Sequence, residues 1–152
     1  PDAFYSGNDS VKAVLTEAQL SSLVKELHKL YIGSAENFEV CFVEDSHFDS
    51  ETVLGHYESL MEYICLKKSV FTEISAYELS LLYHEFAHHY QFVAMVGVGG
   101  EKYDTLLIKP SLEEVESWKA PYDSEDYEVY INHPMEVSAR AFAYAWTGYN
   151  QG

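Results

Sequence analysis

Residues 75–95, SAYELSLLYHEFAHHYQFVAM, contain the start and body of one long helix, and the glycines at 97, 99 and 100 supply its stop. Ser75 and Glu78 make the S-x-x-E pattern of a capping box. In it the serine oxygen and the glutamate carboxylate each accept a hydrogen bond from an otherwise unpaired amide of the first turn. Glycine ends helices because it adopts the left-handed conformation without a Cβ clash. Within this helix His84, Glu85 and His88 stand in the order H-E-x-x-H. A separation of four residues places His84 and His88 on one face, a turn apart. His89 points about 100° away around the axis.

Two neutral imidazoles one turn apart can hold a single zinc ion. Glu85 lies beside such an ion without having to ligate it, and can take a proton from a water whose acidity the metal raises. A hydrolytic zinc site usually has a third protein ligand and leaves a fourth position open. No H-x-x-G-x-x-H extension follows His88, so a third histidine at that spacing is absent. Glu136 is the expected third ligand. It falls in the first turn of a helix that begins at Asn132 or His133, with Pro134 where its missing N–H costs nothing. Ala139, Ala141 and Ala143 would let that helix approach the histidine helix closely. The plain alternative for Glu136 is an acid favoured by the helix dipole. Tyr130, six residues before Glu136, is the candidate donor to a developing oxyanion, with Tyr127 as the alternative. His89 reads as a polar neighbour of the site, His133 as a helix cap, and His28, His47 and His56 as surface or local residues.

The remainder of the chain alternates helix and strand signals. TEAQLSSLVKELHKLY (16–31) has helical spacing at Leu20, Leu23, Val24, Leu27, Leu30 and Tyr31, stopped by Gly33. NFEVCFVED (37–45) and LMEYICLKK (60–68) read as strands, and SVFTEIS (69–75) as a third short one. The polar stretch 46–59 reads as turns around an edge element. SLEEVESWKA (111–120) reads as a short acidic helix with a second capping box, Ser111 and Glu114, closed by Pro121. Residues 122–132 read as a loop rich in tyrosine and acids, and residues 1–15 as extended or loosely docked. No repeat or linker divides the 152 residues, which implies one α+β domain over 1–152.

Nine basic against 25 acidic residues, a net charge of −16, disfavour a phosphate-binding surface and hence nucleic acid as partner. A basic peptide or protein suits that field better. Cys41 and Cys65 lie in the strand segments and read as small buried hydrophobes. No C-x-x-C pair exists, so spacing excludes a thiolate zinc site. No apolar run reaches the roughly 18 residues of a membrane span. No signal peptide opens the chain, so a cytoplasmic location is expected, although the first residue, Pro1, leaves room for a removed precursor segment.

YHEFAHHYQ (83–91) followed by YINHPMEVSARAFAYA (130–145) resembles the gluzincin metallopeptidases. The pattern is most similar to the minimal gluzincins and the ImmA/IrrE-like zinc peptidases. In that group two helix histidines and a glutamate from a following E-x-x-A helix hold zinc, and Glu136-x-x-Ala139 matches this helix, as does the N-x-P-x-E lead-in from Asn132. The resemblance implies a zincin-like fold: a sheet of three to four strands packed on the H-E-x-x-H helix. It also implies an edge strand that receives substrate by strand addition. The expectation is therefore a zinc-dependent endopeptidase with one Zn2+ per chain, ligated by His84, His88 and Glu136, with Glu85 as base and Tyr130 at the oxyanion. The rival readings are a gluzincin-fold regulator that binds zinc without turnover, and a latent peptidase covered by its N-terminus or its 122–130 segment.

Overall fold

The computed structural model describes residues 13–35, 38–48, 54–58, 62–96, 101–122 and 125–151. Helix α1 (Glu17–Tyr31) opens on Thr16, whose side chain accepts from the Gln19 amide while the Gln19 side chain accepts from Thr16 N–H. Leu20, Val24 and Leu27 form its buried stripe, while Leu30 is 47% exposed and does not join it. The helix stops where Gly33 takes φ +133°, a conformation that side chains rarely adopt.

Strand β1 (Ala13–Val14) pairs antiparallel with β5 (Glu73–Ile74) in a two-stranded ribbon. A separate three-stranded sheet has the order β2-β4-β3. Strand β2 (Glu39–Val43) runs parallel to β4 (Tyr63–Lys67), with Cys41 opposite Cys65. Strand β3 (Gly55–Glu58) runs antiparallel on the other side of β4, with Gly55 opposite Leu66 and His56 opposite Cys65. A Cβ at Gly55 would lie 2.8 Å from Leu66 Cδ2 and 2.9 Å from the Cys65 carbonyl oxygen, so only glycine lets the edge strand start this close. Alternation divides the sheet faces. Ile64 and Leu66 enter the core, with Val40, Phe42 and Tyr57 packed against it. Cys41, Cys65 and His56 belong to the opposite face.

Helix α2 (Ala76–Met95) forms the centre of the core and starts with the expected Ser75–Glu78 capping box. The glycines at 97, 99 and 100 lie outside the described residues. Short helices α3 (Glu101–Thr105) and α4 (Leu112–Trp118) follow, the latter capped by the Ser111 side chain. The stretch 122–132 contains a helix where a loop was expected: α5 (Tyr127–Asn132). Asp126 accepts from the Glu128 and Val129 amides and so starts it. None of its residues is buried, so no apolar periodicity announced it.

Helix α6 (Pro134–Thr147) packs along α2. Ala139 and Ala143 are fully buried at that contact, whereas Ala141 is exposed on the other side. Phe86 and Phe142 meet beside them, and Tyr83 stacks on Trp146 at 5.9 Å. Gly148, at φ +73°, ends the helix. The architecture is mixed α+β, with a smaller sheet than the upper expectation and the third expected strand diverted to the ribbon. Among the described residues no helix is long and apolar enough to cross a membrane.

Candidate metal centre

Helix α2 presents His84 and His88 on one face, as their spacing requires, and their rings stand edge to face 4.8 Å apart. The first turn of α6 brings Glu136 over them. Its Oε1 lies 3.2 Å from His84 Nε2 and its Oε2 3.0 Å from His88 Nε2. Glu136 as a residue is only 4% exposed. The close approach of α6 follows from Ala139 and Ala143, because larger side chains would hold the helices apart.

The other ring nitrogens are committed elsewhere. His84 Nδ1 contacts Gln151 Oε1 and His88 Nδ1 contacts Gln91 Oε1, both at 2.9 Å. The amide orientations are set independently: Gln91 Nε2 donates to the Met135 carbonyl and Gln151 Nε2 donates to Ser80 Oγ. An amide oxygen can only accept, so each Nδ1 carries the proton and each Nε2 turns a lone pair toward Glu136. Two lone pairs facing a carboxylate repel unless a cation or an extra proton lies between them. The donor set thus fits a metal ion, with outer partners of the kind that fix the ligand tautomer in metal sites. With protons alone, burial disfavours charge on His88, yet the Glu136 carboxylate outweighs it and raises the imidazole to about 9. Burial likewise opposes charge on Glu136, but its hydrogen bonds to His84 and His88 hold it well below the ordinary carboxylate range.

Glu85 lies between two halves of a cleft. One half, of about 360 Å³, is lined by Tyr57, His88, Phe92 and Tyr122. The other, of about 450 Å³, is lined by Leu54, Phe71, Tyr77, His84 and Gln151. Glu85, Glu136, Tyr130 and His56 border both. Glu85 Oε2 is buried without a hydrogen-bond partner. Burial pushes this carboxyl up, against the opposing pull of His88 and His84. An acceptor held dry and unpartnered at the edge of a cleft is suited to exchanging a proton with a bound molecule.

Tyr130 borders the cleft as expected, whereas its alternative Tyr127 is 67% exposed and borders neither half. The residue missed in the sequence is Tyr122. Its hydroxyl donates to Glu136 Oε2 at 3.2 Å, and its ring packs edge to face on Tyr130 and His133. Gln91 and Gln151 were missed as well, because an amide gives no motif. Only the i, i+3 spacing of His88 and Gln91 offered a signal. His133 caps α6 through Nδ1, which accepts from the Met135 amide.

Of the histidines read as surface or local residues, His28 departs from that reading, while His47 is exposed and His56 half-buried beside it. His28 is buried, its Nε2 3.1 Å from His89 Nε2, and His89 Nδ1 meets the Tyr57 hydroxyl at 2.8 Å. His89 therefore ties α2 to α1 and β3 and does not ligate with its neighbour. Burial lowers His28 and takes His89 down to about 3. His47 and His56 gather with Cys65, all three donor atoms within 4.8 Å of one another. The spacing argument against a thiolate site fails here, because sheet register brings together residues that no short motif links. No protein family, curated protein or solved structure matches the chain.

Proposed function

We propose that the protein is a zinc-dependent endopeptidase of the gluzincin type. The supporting observation is that His84 Nε2, His88 Nε2 and the Glu136 carboxylate converge beside the unpartnered Glu85 Oε2. His84, His88 and Glu136 would hold one zinc ion, which when bound supplies Lewis acidity toward water and the peptide carbonyl. Glu85 accepts the proton of the attacking water at its carboxylate and returns it to the leaving amine nitrogen. Tyr130 donates from the cleft wall to the carbonyl oxygen as negative charge develops. Tyr122 keeps Glu136 Oε2 in place.

A zincin-like arrangement is part of the proposal: α2 beneath the sheet, β3 as the edge strand beside the cleft, and α6 bringing the glutamate. Among the described residues, strand β3 is bonded only to β4 in its sheet, leaving an edge on which an extended peptide can add as a further strand. Cleft on both sides of Glu85 suits a peptide running through the site, and so internal cleavage. The excess of 25 acidic over 9 basic residues favours a substrate with basic residues.

The test is cleavage of a mixed peptide library by the purified protein, with and without chelator, beside Glu85→Gln and Glu136→Ala. Chelator-sensitive cleavage is expected, reduced about 10²–10⁴-fold in Glu85→Gln with zinc retained, and lost with the zinc in Glu136→Ala. A zinc-loaded protein that cuts nothing would refute the peptidase reading and favour a binding role. Zinc held at full affinity by Glu136→Ala would refute the ligand set.

A further inference from the structure

We propose that His47, His56 and Cys65 form a second metal site, on the sheet face opposite that of Ile64 and Leu66, for a borderline-soft first-row cation of the zinc and copper class. The three residues come from three separate segments. His56 and Cys65 stand directly opposite each other on antiparallel strands β3 and β4. Directly opposed side chains share a face with Cβ atoms roughly 4.5–5.5 Å apart. His47 belongs to the 3-10 turn Asp45–His47, which follows β2 and folds over that pair. Its ring lies 6.1 Å from that of His56, centre to centre. Phe48 packs edge-on against His56 at 5.3 Å, and Lys67 Nζ sits 5.5 Å from the centre of the Phe48 ring, so the turn is held down from both sides.

Two imidazoles and one thiol place their donor atoms within 4.8 Å of one another. Metal–ligand bonds of about 2.0–2.3 Å in tetrahedral geometry put donors roughly 3.3–3.8 Å apart. The donor atoms therefore stand within roughly 1–1.5 Å of that spacing. The chemistry of the set selects the ion: thiolate and imidazole suit zinc and copper, while magnesium and calcium require oxygen. Cys65 is buried, His56 half-buried and His47 exposed, so the cluster has a dry base and an open approach. An ion there would clamp the turn after β2 to β3 and β4, and so pin the edge strand whose His56 and Tyr57 border the cleft. A metal cross-link of this kind adds directly to the stability of a small domain. The site does not depend on the endopeptidase reading, since it shares no ligand with the His84 cluster.

Cobalt(II) titration of the full chain under a phosphine reductant tests the proposal. A thiolate ligand gives cobalt a sulfur-to-metal charge-transfer band in the near ultraviolet. The His84, His88 and Glu136 cluster, having only nitrogen and oxygen donors, gives none. A saturable band with the intensity of one thiolate-bound cobalt per chain is expected, beside any cobalt taken up without a band by the His84 cluster. Cys65→Ser should abolish it, and His47→Ala, an exposed position where misfolding is not at issue, should weaken the cobalt affinity at least about tenfold. Loss of an outer partner already costs 10–100-fold, and a ligand is worth more. The thermal midpoint of His84→Ala/His88→Ala, which lacks the other cluster, should rise on adding zinc. No band at saturating cobalt, a band indifferent to His47→Ala, or one that follows Cys41→Ser and survives Cys65→Ser would each overturn the proposal.

Discussion

Gln91→Leu tests whether His88 is aimed at a metal by the residue a turn behind it. Gln91 is 2% exposed and bridges two partners, receiving from His88 Nδ1 and donating to the Met135 carbonyl, each at 2.9 Å. Leucine fills similar space but offers neither bond. The Nδ1–H of His88 is then left without its acceptor, at a cost of about 1–3 kcal/mol if no water reaches it. The ring also loses the contact that fixes its tautomer, so the Nε2 lone pair is no longer enforced. Losing such an outer partner lowers metal affinity roughly 10–100-fold, equivalent to about 1.4–2.7 kcal/mol. Two measurements separate the effects. Chelator-competition titration reads the zinc affinity, and thermal unfolding with chelator present reads the loss of fold stability alone. Zinc should raise the melting temperature of the variant less than that of the parent chain. Unchanged zinc affinity in a folded Gln91→Leu protein would refute the argument, since His88 would then be either correctly aimed without help or not a ligand.

Other perturbations follow from neighbouring contacts. Ala143→Leu overfills the fully buried α2–α6 seam and should cost about 1–3 kcal/mol, while moving Glu136 away from the histidines. Ala141→Leu, on the exposed side, should stay within about 0.5 kcal/mol; equal urea midpoints for the two would contradict the packing. Tyr130→Phe should lower kcat by roughly 10²–10³ with little change in KM, whereas Tyr122→Phe should act first on zinc affinity through Glu136. The reverse assignment in peptide kinetics and zinc titration would exchange their roles. Acid should weaken the fold through the buried His28–His89 pair. An unfolded histidine titrates near 6.5, while burial lowers His28 and takes His89 down to about 3. The unfolded chain therefore binds more protons below pH 6.5, and stability falls as pH drops through that window. His89 alone contributes about 2 kcal/mol of loss between pH 6.5 and 5. Urea midpoints in chelator should follow this slope, and a slope unchanged in His89→Gln would exclude the pair as its source.

The parts of the molecule legible in the sequence are those written in local spacing. The α2 capping box, the shared face of His84 and His88, and the cap and proline that start α6 all depend on residues within four positions of one another. Glu136 could be placed in its first turn for the same reason, although its distance from the histidines could not. What stayed hidden depends on partners far along the chain. Gln151 reaches back 67 residues to aim His84, and His28 meets His89 across 61. Tyr122 was one of thirteen tyrosines, and no local spacing links its hydroxyl to Glu136, 14 residues on.

The two metal-type clusters illustrate that division. A helix repeats a face every three to four residues, so a pair of ligands on it leaves a short motif in the sequence. A sheet brings ligands together through register between strands, and register is set by turns whose length carries no chemical signature. His47, His56 and Cys65 are each nine residues apart, a spacing that would mean nothing in another fold. Only the pairing of His56 with Cys65 makes it a cluster. Gly55 makes that register possible, because a side chain there would collide with Leu66 and the Cys65 carbonyl. Gly55→Val should therefore disturb both places at once. Pushing the start of β3 away from β4 would separate His56 from Cys65 and displace the edge that borders the cleft. The cobalt–thiolate band and peptide turnover should then fall together in the folded variant. If the band were lost while turnover was untouched, the edge strand would not position substrate in the way proposed.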